Sequence, residues 1–291
     1  MATTRPERLH FTGNDEADAL IAQEPLALLI AFGDQEVLVR SDDAEVMGAL
    51  ERIFAMMRAP VSDRIVGELE VYREDGRYVV RGNPDATLKD GSLAEVVRCV
   101  RYSAIQFLID ARPDLVWFHA AAAVFRGRAV VFPGARGGGK STLVASLCAR
   151  GWGYLSDDVV PLDPGSRTVL PFPQAPAVRK HPGQEMPPEW LRMLNKTELR
   201  LRPDSLCREP TPVGAVVRLS YRRDARAELA VSSPATTALH LLEQCWNFPR
   251  RREAAVAHVC ALAQRVPGFS VSFSDGEAAA DLVARELEGL L

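Results

Sequence analysis

The run Gly134-Ala135-Arg136-Gly137-Gly138-Gly139-Lys140-Ser141 satisfies the pattern G-x-x-x-x-G-K-[ST]. Each residue type has a physical task there. Glycine lets the backbone take positive φ and approach a phosphate without a Cβ clash. Successive amides then form an anion-binding concavity at a helix N-terminus, where the helix dipole adds favourable potential. Lys140 is placed to bridge β- and γ-phosphates, and the Ser141 hydroxyl to ligate Mg²⁺; Thr142 closes the nucleotide-binding stretch. The chemistry expected is engagement of ATP or a similar nucleoside triphosphate with Mg²⁺. Asp157-Asp158 adds two carboxylates, one able to reach the metal and one able to take a proton from an attacking hydroxyl. Neighbouring residues on a strand face opposite ways, so both serve one site only where the strand ends or bulges. His119, inside the apolar run Val116-Trp117-Phe118-His119-Ala120-Ala121, reads as either a hydrogen-bonded core residue or a participant.

These groups need elements to hold them. Ala129-Val130-Val131-Phe132 is an apolar strand entering the glycine-rich loop, and Lys140–Ala149 leaves it as a helix stopped by Arg150-Gly151. Leu115–Phe125 and Arg128–Phe132 read as two strands around an Arg126-Gly127 turn, and Tyr154-Leu155 opens another strand that runs into Asp157-Asp158. Strand, loop, helix and strand in this order are the core of a nucleotide-binding α/β unit. Beyond it, a proline-rich excursion extends to about Pro188, Val213–Ser220 and Glu228–Val231 read as strands, and Pro234–Trp246, Arg251–Arg265 and Gly276–Leu290 as helices.

Upstream, Leu26–Phe32 and Glu36–Arg40 form a hairpin pattern around Gly33-Asp34-Gln35. Ser41-Asp42-Asp43 offers caps for a helix over Ala44–Met57. Glu68–Tyr72 and Arg77–Arg81 flank a second turn, and Ser92–Ala111 reads as a long amphipathic helix ended by Arg112-Pro113-Asp114. The expected division is an α+β module over residues 1–111, with no recognisable chemistry, and a P-loop unit over 112–291. Trp190, Trp246 and the scattered arginines are able to line an acceptor site, but read first as packing and surface.

The chain has 291 residues with 47% hydrophobic and 25% charged content, ordinary for a protein that buries a core. A net charge of −3 supplies no field favouring nucleic acid or an anionic membrane. Cys99, Cys148, Cys207, Cys245 and Cys260 lack metal-ligand or redox spacing and read as reduced thiols. With no apolar run long enough to span a bilayer, the expectation is a soluble, cytoplasmic protein.

Phe118-His119-Ala120, the Arg126-Gly127 turn, the P-loop, Arg150-Gly151-Trp152-Gly153 and Leu155-Ser156-Asp157-Asp158-Val159-Val160 follow one another in an order and spacing that resemble HPr kinase/phosphorylase. The smaller HPr-kinase-related kinases, some encoded beside lasso-peptide biosynthesis genes, are more similar still. The likeness covers roughly residues 115 to 162. It implies an α/β P-loop kinase core, akin to phosphoenolpyruvate carboxykinase, that transfers phosphate from ATP to a serine hydroxyl. It further implies Asp157 as general base, His119 as its polarising partner and Asp158 near the metal, although sequence leaves the two aspartate roles exchangeable. The resemblance also hints at a homo-oligomer. The downstream glutamate-containing signature of HPr kinases has no convincing copy; Arg179-Lys180-His181 stands there, with Arg179 and Lys180 candidate contacts to phosphate or an acidic acceptor. HPr itself is therefore a poor fit as acceptor, and a peptide, such as a ribosomal peptide precursor, or a small-molecule hydroxyl fits better. A nucleotide-dependent switch or scaffold remains the alternative from another class.

Overall fold

The computed structural model describes residues 25–58, 64–83, 91–179, 196–198, 201 and 203–291. They form a mixed α/β architecture. β1 (Leu26–Phe32) and β2 (Gln35–Ser41) make the first hairpin, with Gly33 at φ 62° in its turn. Asp43 caps α1 (Ala44–Ile53), its carboxylate accepting from the amides of Glu45 and Val46. This helix stops at Ile53, short of the expected Met57, because Ala55–Met57 tightens into a 3₁₀ turn. β3 (Ile65–Glu74) runs parallel to β2 and turns through Asp75-Gly76 into β4 (Arg77–Arg81). α2 (Leu93–Ala111) starts at a capping box between Ser92 and Glu95. The sheet order is β1-β2-β3-β4, and α1 and α2 supply buried residues to its core.

The apolar run after α2 departs from the expected single strand. β5 (Val116–Phe118) and β6 (Ala120–Phe125) are separate, and His119 is the bend between them. The cause is divergent pairing. β5 pairs with β9 (Val160–Asp163), whereas β6 pairs with β7 (Arg128–Pro133) and β8 (Gly153–Ser156). The His119 amide leaves both ladders and donates to the Gln244 carbonyl at 2.7 Å. α3 (Lys140–Ala149) follows β7, as the sequence predicts. After β9 come β10 (Thr168–Val169) and a small ladder of β11 (Ala177–Arg179) with β12 (Lys196–Glu198).

β13 (Thr211–Tyr221) is the axis of the large sheet, pairing with β10, parallel with β7, and parallel with β15 (Gly268–Phe273). β14 (Glu228–Ser232) lies antiparallel on β15. α4 (Pro234–Leu242) and α5 (Arg252–Ala263) join β14 to β15, and α6 (Gly276–Glu288) follows. Alternation along the central strands divides the core. Val130, Phe132, Ala215 and Val217 meet α3 and α6, while Ala129, Val131, Val213 and Val216 meet α4 and α5. A third core joins the first sheet to the second: Trp117 is packed 5.1 Å from Phe32 and 5.8 Å from Phe172, ring centre to ring centre. Among the described residues no helix is long and apolar enough to cross a membrane.

Candidate functional site

The glycine-rich loop leaves the C-terminal end of β7, beside the C-terminal half of its parallel neighbour β13. Crevices at such carboxyl ends of parallel strands are where open α/β sheets bind ligands. Gly137 and Gly139 have φ of 82° and 86°, values that residues with a Cβ rarely take. Gly139 is also the N-cap of α3, and a Cβ there would stand 2.9 Å from the Phe273 ring. The first amides of α3 are thus presented by a loop that only glycine closes. Gly134, Ala135, Arg136, Gly137 and Gly138 line a cavity of about 340 Å³ whose opposite wall includes Arg218, Tyr221, His240, Glu243 and Gln244. Thr142 sits one turn in, its methyl against Gly276.

Lys140 is only 5% exposed. Burying an ammonium is costly unless its protons are matched. Its Nζ donates to Gly134 O at 2.8 Å and to Ala135 O at 3.1 Å, and lies 3.1 Å from His119 Nε2. Since an ammonium only donates, Nε2 accepts, which puts the imidazole proton on Nδ1. That nitrogen is buried and faces Asp158, Oδ1 at 3.7 Å and the backbone beside it. Burial, and then the Lys140 charge, hold the His119 pKa below its ordinary value against the opposing pull of Asp158. That lowering favours the neutral imidazole, and the Trp246 ring stacks on it at 5.9 Å.

β8 ends at Ser156, and Asp157 and Asp158 lie beyond it, so they escape strand alternation. Asp157 is buried and accepts from Ser141 Oγ at 3.0 Å. Asp158 takes φ 77°, a left-handed conformation that a short polar side chain tolerates. That reversal turns its carboxylate to His119 and Arg101, whose Nη2 donates to Oδ2 at 3.0 Å. The arrangement therefore crosses the expected pairing: Asp157 stands with the Ser141 hydroxyl, and Asp158 with His119. The backbone reversal at Asp158 is the physical reason.

Ser141 and Asp157 offer hard oxygen donors, the set that Mg²⁺ prefers when phosphates complete its shell. Among the described residues no group of three or more His, Cys, Asp or Glu side chains could hold a metal unaided. The donor pair fits an ion that arrives with a nucleotide. Arg179 lies in β11 with its side chain outside the described part, and Lys180 lies outside the described residues, as do His181 and Trp190. Arg101, Gln174 and Trp246 belong to the site and were not expected there. Arg101 had a sequence signal: it falls in one row, at helical spacing, with Ala94, Val97, Ala104 and Leu108, all four buried.

What the described residues define is an α/β protein with a glycine-rich loop at the carboxyl end of parallel strands. No family model matches the sequence, and no curated protein matches it. Among solved structures the chain is similar to the Hpr(Ser) kinase/phosphatase from Coxiella burnetii at 12% identity, with a TM-score of 0.29 over 60% of this chain and 94% of that one. A likeness at that TM-score carries no argument about function, so the functional reading stands on the site's own geometry.

Proposed function

We propose that the protein is a Mg²⁺-dependent phosphotransferase that moves the γ-phosphoryl group of ATP to a serine hydroxyl of a peptide or protein. The observation that carries this reading is convergence at one loop. Lys140 Nζ, the Ser141–Asp157 pair and the His119–Asp158 pair meet where α3 presents its first amides. A nucleotide switch needs the lysine and a metal-binding carboxylate, but has no use for a second carboxylate backed by a neutral histidine. The serine acceptor follows the resemblance of residues 115–162 to HPr-kinase-related kinases.

In this reading the loop amides and Lys140 take the β- and γ-phosphates, and the cavity beside the loop receives the nucleotide. Ser141 and Asp157 would hold Mg²⁺, which neutralises phosphate charge when bound. Asp158 accepts the proton of the attacking hydroxyl while its oxygen bonds to the γ-phosphorus and the β–γ bridge oxygen leaves with ADP. His119, with Nδ1–H facing Asp158 and Nε2 toward Lys140, polarises that carboxylate. Most of the acceleration comes from positioning and fixed charge, because the transferred group passes through a loose transition state.

The test is incubation of the full chain with Mg²⁺, γ-labelled ATP and a pool of serine-containing peptides, beside Asp158→Asn and Asp157→Asn. Asp158→Asn should keep ATP affinity and lower transfer by about 10²–10⁴-fold. Asp157→Asn should instead raise the Mg²⁺ concentration needed for half-maximal rate. Undiminished transfer by Asp158→Asn would overturn the proton-acceptor role, and ATP binding by the wild type with no labelled peptide would favour the switch.

A further inference from the structure

The upstream unit was read as free of chemistry, yet α2 sends one side chain into the site. Ala94, Val97, Ala104 and Leu108 form a buried row on this helix, and Arg101 occupies the remaining place in that row. An arginine there gives up packing area that a leucine would supply and makes polar contacts instead. Its Nη2 donates to Asp158 Oδ2 at 3.0 Å and to Gln174 Oε1 at 2.5 Å, and its Nε donates to the same Oε1 at 2.8 Å. The Gln174 backbone is itself held. The residue is 1% exposed, its backbone N–H donates to Phe172 O at 2.9 Å, and its backbone carbonyl accepts from Tyr154 Oη at 2.6 Å. The guanidinium is thus seated on Gln174 through Nε and Nη2, and Nη2 also reaches the carboxylate.

We propose that Arg101 is a positioning residue of the transfer site, fixing the plane of the Asp158 carboxylate so that Oδ1 stays turned toward His119. This rests on the reading of Asp158 as proton acceptor. The need for such a device follows from local structure. Asp158 sits past the end of β8 on a left-handed residue, so the strand ladder does not set the plane of its carboxylate. His119 Nδ1 is 3.7 Å from Oδ1, too far to hold it by a hydrogen bond. Arg101 supplies a donor within bonding distance of the other oxygen. As a bridge for stability alone, a pair with side chains 28% and 30% exposed would contribute little. As an orienting clamp it acts on the atom that takes the proton. The unit carrying α2 is then part of the reaction centre, not an appendage to it.

The experiment measures transfer from γ-labelled ATP to the serine-peptide pool by the full chain carrying Arg101→Ala or Arg101→Lys, each alone and with Asp158→Asn. Arg101→Ala should lower kcat roughly 10- to 100-fold and leave KM for ATP within about threefold. Arg101→Lys should recover only part of the loss, because one point charge cannot serve both Asp158 and Gln174. In the Asp158→Asn background Arg101→Ala should change the residual rate by less than about twofold, since the group it orients is gone. Equal losses in both backgrounds, or a KM effect without a kcat effect, would overturn the proposal. If Asp158→Asn retains full transfer, the proton-acceptor reading fails and takes the proposal with it. If Asp158→Asn is inactive while Arg101→Ala is unimpaired, only the Arg101 role fails. A crystal structure of Arg101→Met supplies a readout independent of turnover: the Asp158 carboxylate should rotate away from His119, and an unmoved carboxylate would refute the role.

Discussion

The Lys140 ammonium has three protons and lies within bonding distance of Gly134 O, Ala135 O and His119 Nε2. Such a group is cheap to keep buried and ready to trade carbonyl partners for phosphate oxygens. Lys140→Met keeps an unbranched chain one heavy atom shorter and removes the charge. It should raise the Kd for ATP at least tenfold and lower transfer by about 10²–10³-fold, measured by titration calorimetry and by the labelling assay. Gly139 fails for a different reason when replaced. Gly139→Ala puts a Cβ on a residue at φ 86° and 2.9 Å from Phe273. The expected cost is about 1–3 kcal/mol of stability by denaturant unfolding. Adding Phe273→Leu should recover only the steric part, because the backbone strain stays. The glycine-rich turn into α3 was legible in the sequence because its residues form one contiguous run. Which aspartate faces His119 was not, because it depends on the sign of one φ angle at Asp158, which no local pattern announces.

Capped and turned elements were the legible ones. The hairpins around Gly33 and Gly76, the start of α2 at its capping box and both ends of α3 all follow from residues that fix local geometry. α1 shows how much one such residue carries. Asp43 accepts two amides at the head of the helix, and its other oxygen accepts from Arg73 at 3.0 Å and Tyr78 at 2.9 Å. Burial alone would push its pKa up, but the donors from Val46, Tyr78, Arg73 and Glu45 outweigh it, leaving the carboxyl below its ordinary 3.8. A carboxyl with a depressed native pKa stabilises the fold above its unfolded pKa, and that contribution disappears as pH falls through the native value. Asp43→Ala should therefore cost about 1–2 kcal/mol at pH 7, and the difference from wild type should shrink in unfolding curves taken below pH 3.8. Strands buried on both faces were the illegible elements. Val116 to Phe125 is apolar apart from His119, and one histidine inside such a run does not mark a break. β15, Gly268–Phe273, passed unread between two helices although its two buried phenylalanines flank alternating residues.

At the scale of the molecule, Phe32 of the first sheet, Trp117 of β5 and Phe172 after β10 make one aromatic cluster, with Phe32 and Phe172 5.2 Å apart. The expected boundary near residue 112 runs past this cluster, and the cluster crosses it. A fragment of residues 112–291 would expose Trp117 and Phe172, both fully buried in the chain. It should fail to unfold cooperatively, whereas the full chain should give one calorimetric transition. Phe32→Ala, which opens a cavity in the cluster, should cost about 3–5 kcal/mol in that same transition without dividing it. The site was only partly legible for a related reason. Arg101 meets Asp158 across 57 positions and Gln174 across 73, separations at which no motif has reach.

The stretch from Gln244 to Trp246 has two neighbours at once. Gln244 is wall to the cavity beside the loop, its carbonyl receives the His119 amide, and Trp246 covers the His119 ring. Cavity and histidine are therefore mounted on the same three residues of chain. A guest that fits leaves the mount at rest, and one too bulky shifts Gln244 and misaligns His119 with it. Size discrimination in this protein would then be read in turnover more than in affinity, so that an oversized nucleotide analogue could occupy the site as an idle passenger.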